Sequence, residues 1–251
     1  MNTPNPQPVL TVGLPIINMQ NIAWLAMESL CRQEFSQPWE LIIVCEKQMG
    51  PTPKFFEQYY GYLKAANCVR IELIQPDLRM HLNIKWRTIA LASSPSSTML
   101  VLQAGDCYSH PQRLAQHYAY HHADWHNTLS GYFYNISSKK TALFSTSTAQ
   151  ATTGLDMAMS LKWARKLNKI DGRSAGVDQY LYAHCQRCKG KPLRVKNFAL
   201  RPGGLDTHGH NVISKQRGGM IDNLTHHFTS HAHNLETLVP TDVLARLKKM
   251  A

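Results

Sequence analysis

No stretch of this chain is apolar over the roughly 18–20 positions that a membrane-spanning helix needs. The first eight residues carry neither the basic start nor the apolar centre of a secretory signal. These two absences lead to the expectation of a cytoplasmic protein, peripheral at most to a membrane surface or to DNA. Acidic residues are scarce: 16 Asp and Glu stand against 27 Lys and Arg, for a formal net charge of +11, with 13 histidines besides. That imbalance favours polyanionic partners such as nucleic acid, an anionic membrane surface or phosphorylated substrates. Cysteine is sparse and scattered, at positions 31, 45, 68, 107, 185 and 188. The single Cys185-Gln-Arg-Cys188 has no second pair at zinc-ribbon spacing, so reduced, packed thiols are expected rather than a disulfide framework or a zinc site. No internal repeat is present.

What the chain does have is enough apolar content, 43% over 251 residues, for a sizeable core. Its most informative stretch is Met99-Leu-Val-Leu-Gln-Ala-Gly-Asp106, an apolar run of strand length that stops at a glycine and a carboxylate. Ligands of open α/β sheets bind beyond the carboxyl ends of the strands. Asp106 is therefore expected at the mouth of the sheet, with Gly105 allowing close approach to the backbone. Further strands are expected over 10–17, 40–46 and 68–74, and helices over 21–33, 54–66 and 83–93, the last turning Ile84, Ile89 and Leu91 inward. Alternation of this kind calls for an α/β fold with a mainly parallel sheet and right-handed crossovers.

The second half changes character. Residues 128–137 and 141–145 read as a hairpin or a pair of mixed-sheet strands. A helix over 155–167 would place Leu155, Met159, Trp163 and Leu167 on one face, and another helix runs over 178–189. The chain then turns glycine- and histidine-rich from Arg201 to Gly219 and ends in a short basic helix. Two units are expected: 1–200 as the main domain, and 201–251 as a C-terminal segment completing the active site.

Several quoted stretches stand together in a recognisable order. They are Val9-Leu-Thr-Val-Gly-Leu-Pro15 with Asn18, Ser29-Leu30 with Gln33, Trp39-Glu-Leu-Ile-Ile-Val44 followed by Cys45-Glu46, and Gln103-Ala-Gly-Asp106 with Pro111 and Leu114. Over residues 9–182 the layout resembles a family-2-type glycosyltransferase. The resemblance implies a GT-A (Rossmann-like) fold, a mixed, mainly parallel sheet flanked by helices, here with a His/Gly-rich C-terminal extension. The family's two aspartates at the end of the second strand are replaced by Cys45-Glu46, so only Glu46 carries over. Its D-x-D-D signature keeps only the last acid, Asp106, with Gln103 and Gly105 in place of others. Asp106 is implied to hold Mn²⁺ or Mg²⁺ against the donor diphosphate, with His208 or His210 as a further ligand. Pro15, Glu46, Lys85, Arg87, Gln103, Gly105, Lys215 and Arg217 are implied donor-binding positions, although Lys215 and Arg217 also suit an ordinary solvated loop. Asp156 falls where the acceptor site is built, and equally where a helix is capped. Asp178 matches the catalytic base, and an aspartate at a helix start is also a common cap. The activity implied is metal-dependent, inverting transfer of a sugar from a nucleotide-sugar to an acceptor hydroxyl. A saccharide, a lipid-linked glycan at an anionic membrane or a hydroxymethylated DNA base would serve as acceptor. Two other classes fit the same residues: a non-catalytic basic nucleic-acid-binding protein, and a transferase that binds a donor without turning it over.

Overall fold

The computed structural model describes residues 6–17, 19, 21–128, 130–145, 157–167, 177–198, 204–208, 222–224, 228–230, 235–237 and 239–250. Among them no helix is long and apolar enough to cross a membrane. The first strand, β1 (Leu10–Ile16), is buried along its whole length and lies between β2 (Trp39–Cys45) and β4 (Met99–Leu102). With β3 (Cys68–Ile74) outside β2, the parallel core runs β3-β2-β1-β4. Strands covered on both faces, as β1, β2 and β4 are, read as near-continuous apolar runs, whereas the edge strand β3 alternates and is mostly half-buried.

Side-chain alternation splits the core into two layers. Val12, Leu14 and Ile16 share one face with Leu41, Ile43 and Cys45, covered by helix α1 (Trp24–Cys31) and by α2 (Pro53–Glu57) and α3 (Tyr60–Ala65). Ile42, Val44, Leu100 and Leu102 share the other face, under α4 (Leu82–Ala92). The expected 54–66 helix is thus broken into two short ones. Helix α4 is also rotated from the expected phase. It buries Asn83, Lys85, Trp86, Ile89 and Ala90, while Leu91 is 53% exposed and Ile84 half-buried. The cause is Gly13: a Cβ there would lie 2.7 Å from the Trp86 ring and 2.9 Å from Ile89. The bare backbone is the notch that seats Trp86.

Beyond β4 the topology departs from the expected one. β5 (Cys107–Ser109) leaves the first sheet at once, and helix α5 (Arg113–Tyr118) follows. The strand expected over 128–137 is β7 (Ser130–Asn135), in the second sheet, and a separate β6 (Trp125–Thr128) precedes it in the first. The hairpin partner of β7 is β8 (Lys140–Ser145), antiparallel as expected. The helix expected over 155–167 is replaced, in its described part, by β9 (Ala158–Ser160) and a short α6 (Leu161–Ala164). Met159 thus fills a strand position between β4 and β6. A short apolar run fits either period, and the vacant sheet position decides it. Helix α7 (Val177–Lys189) and β10 (Val195–Phe198), parallel to β6, complete this sheet in the order β10-β6-β9-β4-β1-β2-β3.

The second sheet runs β12-β8-β7-β11-β5, with β11 (Gly204–His208) and β12 (Phe228–Ser230) drawn from the C-terminal segment. β11 is antiparallel to β5 and parallel to β7, while β7–β8 and β8–β12 are antiparallel. The sheets are therefore mixed rather than mainly parallel. Helix α8 (Thr241–Lys249) buries Val243, Leu244 and Leu247 in the same cluster as Trp24 and Tyr108.

All six cysteines are free. In the CxxC, Cys185 is buried with its sulfur 3.8 Å from that of Met159, and Cys188 reaches the Lys166 carbonyl at 3.5 Å. Burial pushes the Cys185 thiol up to about 12, which marks a packing role.

Filling the Gly13 notch tests this packing. Gly13→Ala is expected to lower unfolding stability by about 1–3 kcal/mol through overpacking. Urea denaturation with an unchanged midpoint and slope would contradict it.

Candidate active site

In the β3-β2-β1-β4 order the connections reverse direction between β1 and β4. At such a switch point a crevice opens beyond the carboxyl ends of the two strands. The loop that follows β4 is held there by its own buried polar groups. The Gln103 N–H donates to the Gly13 carbonyl at 2.9 Å, extending the β1–β4 ladder. Its side-chain amide donates to the carbonyls of Ala104 (2.9 Å) and Cys107 (3.0 Å). Its side-chain carbonyl accepts from the Ser109 hydroxyl and from Arg113 Nη1, the latter at 2.8 Å. Arg113, 1% exposed, also donates to Ser109 Oγ at 2.8 Å and to the Leu102 carbonyl. Gln103 is thus engaged by its own loop, and Arg113 is its main side-chain partner. At Gly105 a Cβ would meet the Met19 sulfur at 2.7 Å, so the glycine makes room for a side chain of the protein itself.

This staple presents Asp106. Across β5 and β11, Asp206 is the register partner of Cys107, and Thr207 grips the Asp106 carbonyl with its N–H (3.2 Å) and its hydroxyl (2.7 Å). One ligand atom from each of Asp106, Cys107 and Asp206 lies within 4.8 Å of the other two. Asp106 is 9% exposed and Asp206 8%. Carboxylates this close repel unless a proton or a cation lies between them. Oxygen donors suit Mg²⁺ or Mn²⁺. Cys107 fits less well as a ligand. Its burial, followed by the Asp206 and Asp106 charges, pushes the thiol well above its ordinary range, and it donates to Asp106 Oδ1 at 3.7 Å. Among the described residues, the donors for a hard cation are therefore the two aspartates.

The other expected residues are distributed as follows. Glu46, at the end of β2, is 2% exposed and accepts from Lys85 Nζ at 2.6 Å and from the Met80 N–H at 3.0 Å. Lys85 is fully buried and also donates to the Ile16 carbonyl. Burial alone would raise the Glu46 carboxyl, but Lys85 and the Met80 N–H hold it below the usual range. For Lys85 burial outweighs Glu46 and lowers the ammonium. The pair ties the ends of β1 and β2 together. Pro15 is buried within β1. Arg87 turns elsewhere, donating from Nε to the Leu167 carbonyl at 2.7 Å. Asp178 heads α7 and His208 ends β11, and for both only the backbone is described. Asn18, Asp156, His210, Lys215 and Arg217 lie outside the described residues. Sequence reasoning missed Asp206 and Arg113. The Leu205-Asp206-Thr207-His208 alternation was the one local sign of a strand there.

No family model and no curated protein matches the chain. Solved structures do. Residues 1–349 of S. aureus TarS in complex with UDP match with a TM-score of 0.61 at 14% identity, over 86% of this chain and 65% of that one. The mannosyltransferase PcManGT from Pyrobaculum calidifontis, in complex with GDP-Man and Mn²⁺, matches with a TM-score of 0.55 at 12% identity, over 82% of this chain and 58% of that one. The chain has a GT-A fold. It spans only 36% of a longer TarS chain, which it matches with a TM-score of 0.57 at 13% identity. The GT-A fold accounts for the strand order around β1. The Asp106–Asp206 pair occupies the carboxyl end of its β4.

Behind the staple, one turn along α5 from Arg113, His117 stacks on His126 of β6 with ring centroids 5.7 Å apart. They are 2% and 0% exposed. Burial, then the Arg113 and His126 charges, lowers His117 well below its ordinary value, and burial lowers His126 to about 4. An unfolded histidine titrates near 6.5, so below that pH the unfolded chain binds more protons than the folded one. Stability is expected to be full above pH 6.5 and to fall on acidification toward pH 4, by about 1.4 kcal/mol per unit for each histidine. Denaturation midpoints measured at pH 7, 6 and 5 check this, and a flat profile contradicts it.

Proposed function

We propose that this chain is a metal-dependent glycosyltransferase that moves a sugar from a nucleotide-sugar donor to an acceptor hydroxyl. The observation that carries the reading is the pairing of Asp106 with Asp206 at the switch-point mouth of a GT-A fold. Support comes from the similar structures: TarS was solved with UDP and with UDP-GlcNAc, and PcManGT with GDP-Man and Mn²⁺.

Asp106 and Asp206 would hold Mn²⁺ or Mg²⁺, with His208 or His210 as a further ligand. When bound, the ion supplies Lewis-acid stabilisation of the departing diphosphate. Lys215 and Arg217 would add positive charge around the same phosphates. The C-terminal segment 201–251 would thereby complete the site, through β11 and the residues after it. Asp178 would accept the proton of the acceptor hydroxyl as its oxygen attacks the anomeric carbon, in a single inverting displacement. Asp156 would help seat the acceptor. For the acceptor we favour a saccharide or lipid-linked glycan carried by an anionic membrane, in keeping with the +11 charge.

One observation favours a second reading, donor binding without turnover. Gln103, which stands where the family's signature has an acid, brings no carboxylate to the ion and is engaged by its own loop. Release of sugar from UDP-GlcNAc or GDP-Man that depends on Mn²⁺ separates the two readings.

In a thermal-shift panel, one of these nucleotide-sugars is expected to raise the melting temperature with Mn²⁺ present and much less with EDTA. Asp206→Asn should weaken Mn²⁺ binding about 10-fold or more. Asp178→Asn should abolish transfer while leaving donor affinity within about twofold. Normal transfer by Asp178→Asn, or unaltered Mn²⁺ affinity in Asp206→Asn, would sink the corresponding assignment.

A further inference from the structure

The excess of positive charge is concentrated in part away from the mouth. Helix α6 starts where the Leu161 N–H meets the Thr98 carbonyl, at the amino end of β4. Asp124 precedes β6, and Arg194 precedes its parallel partner β10, at that same end. Helix α7 arrives there with its last turn, Lys189 bonding Asp124. The amino edge of the β4-β9-β6-β10 half thus gathers Lys162, Arg165, Lys166, Arg187, Lys191 and Arg194. Apart from half-buried Arg165, these side chains belong to exposed residues.

Asp124 is the one carboxylate bonded to this group among the described residues, and it is already engaged. It is 3% exposed and accepts from Trp163 Nε1 (2.8 Å), Lys189 Nζ (2.6 Å), the Arg194 N–H (2.8 Å) and Arg194 Nε (3.1 Å). These bonds hold its carboxyl below the usual range against the effect of burial. Asp124 therefore organises the edge without presenting a negative charge to solvent.

We infer that this edge is a docking face for an anionic lipid bilayer. A charged plane is matched by basic residues from several elements spread over one edge. An apolar side chain stands beside them: Leu91, 53% exposed, is on the last turn of α4, next to the Ser93 and Ser94 carbonyls that receive Arg165. Basic groups next to an exposed apolar residue suit a membrane interface. Single-stranded nucleic acid is less well matched, because stacking of its bases needs an open aromatic face. Trp163 is 9% exposed, and its ring carries the Lys162 and Lys166 ammonium groups at 5.0 and 5.1 Å from the centroid.

The face lies at the opposite end of the strands from Asp106. A seven-residue strand such as β1 is about 23 Å long, so docking would hold the mouth on the side away from the lipid. If the sugar-transfer reading holds, the acceptor hydroxyl belongs to a glycan extending from the membrane, not to a lipid headgroup. The docking itself does not depend on that reading.

Co-sedimentation of the full chain with phosphatidylcholine vesicles, with and without phosphatidylglycerol, tests the face directly. Binding is expected only with phosphatidylglycerol and should weaken as salt is raised. The double variant Lys162→Glu/Lys191→Glu should lose about 10-fold or more in affinity. Lys248→Glu/Lys249→Glu, which changes the net charge equally on α8, should stay within about twofold of the parent. Both variants should keep the parent's melting temperature, showing that the fold is intact. Equal losses in the two variants, or no binding to phosphatidylglycerol, would overturn the inference. So would duplex DNA that binds more tightly than the vesicles and through Lys162 and Lys191.

Discussion

Two carboxylates are held with oxygens inside 4.8 Å of each other at a strand end where neither is more than 9% exposed. The backbone that imposes this proximity is the short β5–β11 ladder. Asp206 is in register with Cys107, and Thr207 fastens the Asp106 carbonyl twice. Side chains alternate along a strand, so a slip of one residue would turn Asp206 to the opposite face. The site therefore rests on register as much as on residue type. It also makes the second sheet more than an appendage, because β11 is held between β5 and β7 and cannot shift alone.

The first sheet supplies the other half of that constraint through buried polar groups. Gln103 and Arg113 fix the loop between β4 and β5 from below, so that Asp106 leaves the sheet at one place. Lys85 and Glu46 tie the ends of β1 and β2 beside it. At the opposite edge the buried Glu40 accepts from Thr11 (2.6 Å), Ser97 (2.9 Å) and the Ser94 N–H (2.8 Å), as well as from Arg70. Such groups are tolerated in a core only when fully partnered, and removing one partner strands the other. Each network therefore specifies the geometry of one strand end.

Which elements are legible in the sequence follows from these forces. The parallel core was legible because strands buried on both faces leave continuous apolar runs, as in Leu41-Ile-Ile-Val44 and Met99-Leu-Val-Leu102. Asp106 was legible because its position follows from the end of such a run. The phase of α4 was not, since it depends on a notch at Gly13 in a distant strand. Nor was β9, whose three residues take their conformation from the gap between β4 and β6. Asp206 was hidden for the same reason: its partner stands 100 positions earlier, and only the pairing of β11 with β5 joins them. The CxxC lies within a helical run, where packing is expected, and Cys185 packs against Met159.

In the proposed site Asp106 and Asp206 together would hold a divalent cation at the GT-A mouth. Anomalous diffraction from crystals soaked with Mn²⁺ and UDP tests it most directly. We predict one strong peak bridging a carboxylate oxygen of Asp106 and one of Asp206, each at about 2.1 Å. A manganese peak coordinated elsewhere, with no metal between these two carboxylates, would contradict that assignment.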